Sequence, residues 1–521
     1  MRRSALVAAT AVATHVTAIG AGFVWLDHAH IEGGAALAPP SGWPALFTHG
    51  FAGTGYYRPL MSLSLSLDAL VGGPLAFHVT SIAWHAAAAL MTMVVGGALG
   101  LSRRTAMIAG VLFAVHPISA LVANAIAFRS EAMVAVALLA LIWAHLRGRP
   151  WLAALALAAG VLTKENGAVL GPLFLVALDR MRSPAAEGGG DEARSQRRRL
   201  FLAEGVAFAG ALALRFAYAP AWRASHEALG LGDAVGTRLA GLAKSAAAVT
   251  VPVDRSVCDA FAVTHWWQPG SIAGLVVVVA IGWLTWRQRG PAILFALAIL
   301  PALQLVPVAR WWSPHYLYVP LAFLAMLAAS FAERLGARAN AGVVGLAVVH
   351  GAITLYDGRR FVNDAALWTP EVAHQPACLE GQFYLGEVER KAGRWEPAAK
   401  RYEAALAARP GVLAYVDRSA ALQNLGTVRI EQGRFGEARR AFRSALEGTS
   451  DARRRRELTH NLAGAALRAG DAAEASALLE EETARADALP ESLQLRAIAL
   501  RELGQTEEAR RLLARVPPAA R

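Results

Sequence analysis

Asp27 stands at the end of an apolar run, after Phe23-Val24-Trp25-Leu26 and just ahead of His28, His30 and Glu32. A carboxylate placed there can take a proton from an alcohol, hold a cation, or mark where a helix leaves lipid. Similar groups recur where other apolar stretches end. They are Tyr56-Tyr57-Arg58-Pro59, His78 with His85, Phe113-Ala114-Val115-His116-Pro117, Phe128-Arg129-Ser130-Glu131, Thr163-Lys164-Glu165-Asn166 and Arg310-Trp311-Trp312-Ser313-Pro314-His315-Tyr316. One carboxylate facing several cations has a chemical logic. Cations hold a phosphate, and the carboxylate opposite activates a hydroxyl that attacks beside it. On that logic Arg58, Arg129, Lys164, Arg310 and His315 are the phosphate-binding candidates and Asp27 the catalytic one. His28, Tyr57, His78, His116, Glu131, Glu165 and Tyr316 form the supporting set.

Each group also has an ordinary reading. Single arginines snorkel to lipid headgroups, Lys164 and Glu165 can pair, and His78 and His85 suit hydrogen bonds between helices better than catalysis. Trp25, Trp311 and Trp312 suit an interfacial aromatic belt. Asp27, His28 and His30 could hold a divalent metal, but i, i+2 spacing outside regular structure is weak evidence for it, so no metal or cofactor is expected.

The elements that must position these groups are membrane helices. Hydrophobic residues make up 55% of the 521 residues and charged ones 17%, against roughly 45–50% and about 25% for soluble domains. The formal charge of +12 comes mostly from arginines spread through short loops. That pattern points to topology and lipid headgroups and away from nucleic acid. Two cysteines, Cys258 and Cys378, are too few for a disulfide scaffold or a thiolate metal site; they could pair if both face an oxidising compartment, and two free thiols is the preferred reading.

Ser4 to Trp25 carry no charge and read as an uncleaved first membrane helix, with Arg2-Arg3 cytoplasmic and Asp27 outside. Residues 27–74 read as an outer loop. Basic loops then fall at Arg103-Arg104, Arg147–Arg149, 179–199, Arg287–Arg289 and 334–338, each where an alternating chain returns to the cytoplasm. The stretch 179–199 reads as a cytoplasmic linker, 219–270 as a second outer loop with a helix near 237–250, and 291–308 as a crossing. About eleven spans result, two of them short, those ending at His116 and Thr163.

Beyond about residue 376 the chain changes character. Leu385, Gly386, Gly393, Ala398, Tyr402, Ala405 and Pro410 fall at tetratricopeptide-repeat spacing, and Leu425, Gly426, Gly433, Ala438, Phe442 and Ala445 repeat it. Weaker copies follow at Gly470/Ala475 and Gly504/Ala509. Such repeats stack into a solenoid that binds polypeptides. The expected architecture is all-α: a polytopic membrane bundle over 1–357, a connector over 358–377 and a repeat domain over 378–521.

The order of these motifs resembles the transmembrane and tetratricopeptide-repeat family of protein O-mannosyltransferases and its bacterial relatives, within the GT-C class of polytopic glycosyltransferases. The resemblance rests on the acidic residue after the first helix, Tyr-Tyr-Arg-Pro, the two histidines, Phe-Ala-Val-His-Pro with Arg-Ser-Glu, Lys-Glu, and Tyr-Leu-Tyr-Val-Pro ahead of repeats. It implies inverting transfer of a sugar, mannose in the family, from a polyprenyl-phosphate carrier to Ser or Thr hydroxyls of proteins outside the cytoplasmic membrane. The lipid-linked sugar is then substrate, and Asp27 is the general base. Leu26 stands where the family's motif carries a second acid, Leu121 where Glu often follows His-Pro, and His315 where Arg often precedes Tyr-Leu-Tyr. Two other functions fit the same pattern: a non-catalytic scaffold gathering envelope proteins, and a surface-polysaccharide polymerase or ligase.

Overall fold

The computed structural model describes residues 2–181, 191–219, 229–252, 255–305, 308–449 and 451–517. Parts of the expected linker over 179–199 and of the outer loop over 219–270 lie outside the described residues. The chain divides into two compact units, Met1–Leu367 and Trp368–Arg521.

The first unit is a bundle of helices. They are α1 (Arg2–Thr14), α2 (Pro59–Val71), α3 (Gly73–Ala98), α4 (Arg103–Val115), α5 (Ser119–Asn124), α6 (Arg129–Leu146), α7 (Pro150–Thr163), α8 (Glu165–Met181), α9 (Asp191–Tyr218), α10 (Leu231–Thr250), α11 (Pro269–Arg287), α12 (Arg289–Ala298), α13 (Tyr318–Leu335) and α14 (Ala337–Gly358). Among the described residues six helical stretches are long and apolar enough to cross a membrane, and three shorter apolar ones accompany them. The chain is a membrane protein.

Burial sorts these helices into inner and outer. In the stretches Ile126–Leu146 and Pro314–Leu335, which contain α6 and α13, 83% and 78% of the apolar window is buried. The corresponding share is 22% for α9 and 11% for α11 and α14, whose apolar faces are left for lipid. Trp266 and Trp267, just before α11, and Trp283 and Trp286, near its far end, are at least half exposed. The Arg287 guanidinium lies 5.9 and 5.7 Å from the ring centres of Trp283 and Trp286. α11 packs on α10 so closely that a Cβ at Gly274 would sit 1.9 Å from the Leu239 carbonyl oxygen.

Four expectations need correction. The first helix stops at Thr14 and passes through a 3-10 turn, Val16–Gly20, into non-helical chain before Trp25. Gly20 and Gly22 weaken any continuation, and the Gly22 amide bonds instead to the Val362 carbonyl at 3.1 Å. Secondly, residues 27–74 are not all loop, because the apolar Pro59–Val71 is helical and half of it is buried. Thirdly, α12 ends at Ala298 and gives way to a 3-10 turn, Leu300–Leu303, with Pro301 at its start, so 291–308 is not one continuous span. Finally, neither Cys258 nor Cys378 is a free thiol. The two short segments are short helices as expected, thirteen residues in α4 and fourteen in α7.

The second unit stacks helical pairs: Leu379–Lys391 with Trp395–Leu406, Arg418–Glu431 with Phe435–Glu447, Ala452–Arg468 with Ala472–Leu478, and Pro490–Glu502 with Thr506–Ala514. The small residues let paired helices touch. A Cβ at Gly386 would lie 2.8 Å from the Tyr402 ring, and one at Gly426 would lie 2.7 Å from the Phe442 ring. The turn inside each pair carries one left-handed glycine, Gly393, Gly433, Gly470 or Gly504 (φ 70, 71, 82 and 78°). This is a tetratricopeptide solenoid, including the two weaker copies.

Candidate functional site

Three helix starts meet at one charged cluster. Glu131 is in the first turn of α6, Glu165 opens α8, and His315 lies in the 3-10 turn Pro314–Leu317 that leads into α13. Lys164 Nζ donates to Glu131 Oε1 at 2.5 Å, and His315 Nε2 lies 3.6 Å from the same oxygen. Arg58, at the N-cap of α2, grips Glu165 through Nη2 at 2.6 Å and Nε at 3.0 Å, and Arg215 of α9 adds a contact at 3.3 Å. All these groups are largely buried, so their pairing is what makes their burial tolerable. Unpaired amides at helix starts favour negative charge, and three such starts share this site.

Arg58 also faces outward. Its guanidinium lies 4.3 Å from the Tyr56 ring centre and 5.6 Å from that of Phe51. It lines a cavity of about 230 Å³ walled by residues including Leu37, Ala38, Leu46, Phe51 and Ser62. The cavity is mostly apolar, with this cation on its wall.

Asp27 is fully buried on the neighbouring turn. Its Oδ1 accepts the Ala127 amide at 2.7 Å, and its Oδ2 accepts those of Val24 at 3.2 Å and Ile126 at 3.4 Å. Burial pushes the carboxyl up to about 7, against the opposing pull of those amides and of His28. Trp25, two residues earlier, is left-handed (φ 57°), a conformation that costs a bulky residue about 1–3 kcal/mol. It is held from several sides. Asp364 Oδ1 accepts the Trp25 amide at 2.8 Å, the indole lies 4.8 Å from the Phe128 ring, and the Arg310 guanidinium sits 5.1 Å over it. Phe128 lies in turn 4.8 Å from the His315 ring, which connects the Asp27 turn to the charged cluster. Nearby His30 is pushed down to about 4, first by burial and then by the charges of Arg58 and Arg310.

His28 stands between two carboxylates. One ring nitrogen faces Glu32, and Nε2 is 2.7 Å from Asp364 Oδ2.

The remaining expected residues lie elsewhere or are committed to structure. Arg129 is wholly buried, with Nη1 2.6 Å from Asp68, and it donates to Ser64, Ser81 and the Phe77 carbonyl. His78 is 3.1 Å from the Gly22 carbonyl oxygen, His116 is 3.0 Å from that of Val249, and Tyr57 donates to that of Phe47 at 2.8 Å. Tyr316 donates to the Arg310 carbonyl at 2.8 Å. The structure therefore brings together Arg58, Glu131, Lys164, Glu165 and His315, with Arg310, His28 and Asp27 alongside.

Three partners in these contacts lie outside the sequence motifs. Asp68 and Arg215 each interrupt an apolar run, a signal that marks an intramembrane ionisable group worth pursuing. Asp364 lies past the last apolar stretch and carries no such signal.

Comparison with known proteins agrees with this architecture. A tetratricopeptide-repeat family model matches residues 376–451. The chain is 31% identical over 192 residues to the protein O-mannosyl-transferase Tmtc2 of Drosophila melanogaster, covering 32% of this chain and 20% of that protein. It is 33% identical over 119 residues to Tmtc1 of the same organism, covering 21% and 14%. It is 30% identical over 145 residues to TMTC3 of Mus musculus, covering 26% and 16%. The chain thus matches a fifth or less of the length of these curated relatives. With apolar helices followed by tetratricopeptide repeats, the chain is similar, over at most about a third of its length, to the transmembrane and tetratricopeptide-repeat protein O-mannosyl-transferases.

Proposed function

We propose that this protein transfers a sugar, mannose, from a polyprenyl-phosphate carrier to Ser or Thr hydroxyls of polypeptides on the outer face of the cytoplasmic membrane. The observation that carries the reading is Arg58, which joins the buried charged cluster to a mostly apolar cavity. A lipid-linked phosphate has the same two halves, an anion and a hydrocarbon chain. Lys164, His315 and Arg310 lie close enough to share its charge, and Arg129 steadies α6 behind them through Asp68.

In the reaction the acceptor oxygen attacks the anomeric carbon and its proton passes to Asp27. The bond from that carbon to the phosphate oxygen breaks, and polyprenyl phosphate leaves with the electron pair. Attack opposite the leaving group inverts the anomeric centre. Asp27 is poised for this, since a base acts best when its pKa lies near the working pH. A single carboxylate suffices because the phosphate leaves without protonation, and the scheme uses no metal ion. The N-terminus is cytoplasmic, and the repeats lie outside and present the acceptor polypeptide.

The test is transfer by the purified chain in liposomes. Supplied with polyprenyl-phosphate mannose and a Ser/Thr peptide, it should add one hexose mass to the peptide. Comparison of cells with and without the chain separates the alternatives. Unchanged envelope-protein masses with normal glycans would indicate a scaffold, and altered surface polysaccharide a polymerase or ligase.

A further inference from the structure

Asp364 begins the helix Asp364–His374 and is buried. One of its oxygens accepts the amide of left-handed Trp25, and the other meets His28 Nε2. Trp25 and His28 flank the Leu26-Asp27 pair, so Asp364 grips the turn on both sides of the carboxylate. The Gly22 to Val362 hydrogen bond brings the two segments together just upstream of both grips. A left-handed tryptophan has no local reason to persist; it stays only where its surroundings over-determine it.

We propose that Asp364 is a positioning residue that holds the Trp25–His28 turn so that Asp27 meets the acceptor hydroxyl. This rests on the reading of Asp27 as the base. Asp364 acts on Asp27 in two ways. Geometrically, its oxygen anchors the Trp25 backbone and so sets the direction of the Asp27 side chain. Electrostatically, Asp364 and Glu32 face the two nitrogens of His28 and hold its ring in place, and His28 pulls the Asp27 carboxyl down against the effect of burial. The charged groups facing this turn are Glu32 and His28 from the turn itself, Asp364, Arg310 over Trp25, and Arg129 from α6.

Two substitutions in the full chain separate these effects. Asp364→Asn keeps an oxygen for the Trp25 amide and places an amide N–H against His28, which accepts as a neutral ring. Asp364→Ala loses both contacts. The readouts are hydrogen exchange of the peptide containing residues 23–28, kcat and donor KM for peptide mannosylation in liposomes, and the pH profile of kcat. Asp364→Ala should speed exchange in that peptide and lower kcat about 10²-fold, the cost of a misplaced reacting group, with donor KM unchanged. Asp364→Asn should exchange like the parent. Weakening the pull of His28 raises the Asp27 pKa, and a base must be ionised, so its acidic limb should move to higher pH while the plateau rate at high pH returns.

Unchanged exchange in Asp364→Ala overturns the proposal whatever the activity, and so does Asp364→Asn with an unshifted pH profile. Faster exchange with undiminished kcat also overturns it. In that case Asp27→Asn decides how far the failure reaches. An inactive Asp27→Asn confines it to Asp364, and an active one removes the base assignment as well. Should Asp364→Ala fail to fold, the pH profile of Asp364→Asn decides alone.

Discussion

Ala127 donates its amide to Oδ1 of Asp27 at 2.7 Å, across one hundred residues of chain. The proposed base is therefore fastened to the turn that leads into α6, the helix carrying Arg129 and Glu131. Any movement that opens Asp27 to a hydroxyl must also disturb the start of α6.

Asp27→Asn should lower kcat by about 10²- to 10⁴-fold with donor binding unchanged. Because the carboxyl is raised to about 7, the parent's kcat should fall as pH drops through about 7 and level off above it. Asparagine also points an NH2 toward amides that need an acceptor, at Val24 and Ile126 if it takes the place of Oδ2, so rates must be normalised to folded protein. A parent-like kcat in Asp27→Asn would shift attention to Glu131 and Glu165.

Arg58 and Arg129 should part company on alanine substitution. Arg58→Ala should raise the donor KM, because this arginine lines the cavity. Arg129→Ala leaves Asp68 buried without its partner and should cost about 3–5 kcal/mol of stability, seen as a lowered Tm in detergent. A donor-KM effect confined to Arg129→Ala would reverse the two roles.

Gly426→Ala should destabilise the repeats by about 1–3 kcal/mol, since its Cβ would meet the Phe442 ring at 2.7 Å. Pairing it with Phe442→Leu should recover part of the loss. Thermal unfolding of both variants measures the coupling.

Sidedness is tested by reporter fusions after Arg199 and after Arg360, which should report opposite faces, the second outside. Deleting residues 380–521 should reduce transfer to folded protein more than to a short peptide. Equal loss on both would make the repeats structural.

The repeats were legible because their pattern is a steric demand: Gly386 and Gly426 sit where an aromatic ring leaves no room for a side chain. The short α4 and α7 were legible from the charges that bound them. The end of α1 was not. Gly20 and Gly22 only weaken the helix locally; its end is completed by distant contacts, His15 with Ser119 at 3.1 Å and Gly22 with Val362, which no local pattern carries. Within the site, Lys164 and Glu165 are chain neighbours, but each pairs with a group from another helix. Arg129 reads as a phosphate-binding candidate in the sequence because its ion-pair partner, Asp68, stands sixty-one residues earlier inside an apolar run.

The nineteen residues of α11 rise about 28 Å, close to the ~30 Å hydrocarbon core, with tryptophans at both ends. Acyl chains much longer or shorter than this must deform around the helix or tilt it, because its indoles resist leaving the headgroup level. Such a tilt would not stay local. α10 lies against the α11 backbone at Gly274, and its Ser245 accepts the Trp312 indole N–H at 3.1 Å, three residues before His315. Bilayer thickness is thus a variable that this protein can feel, and turnover in vesicles of graded acyl length should pass through an optimum near the α11 span.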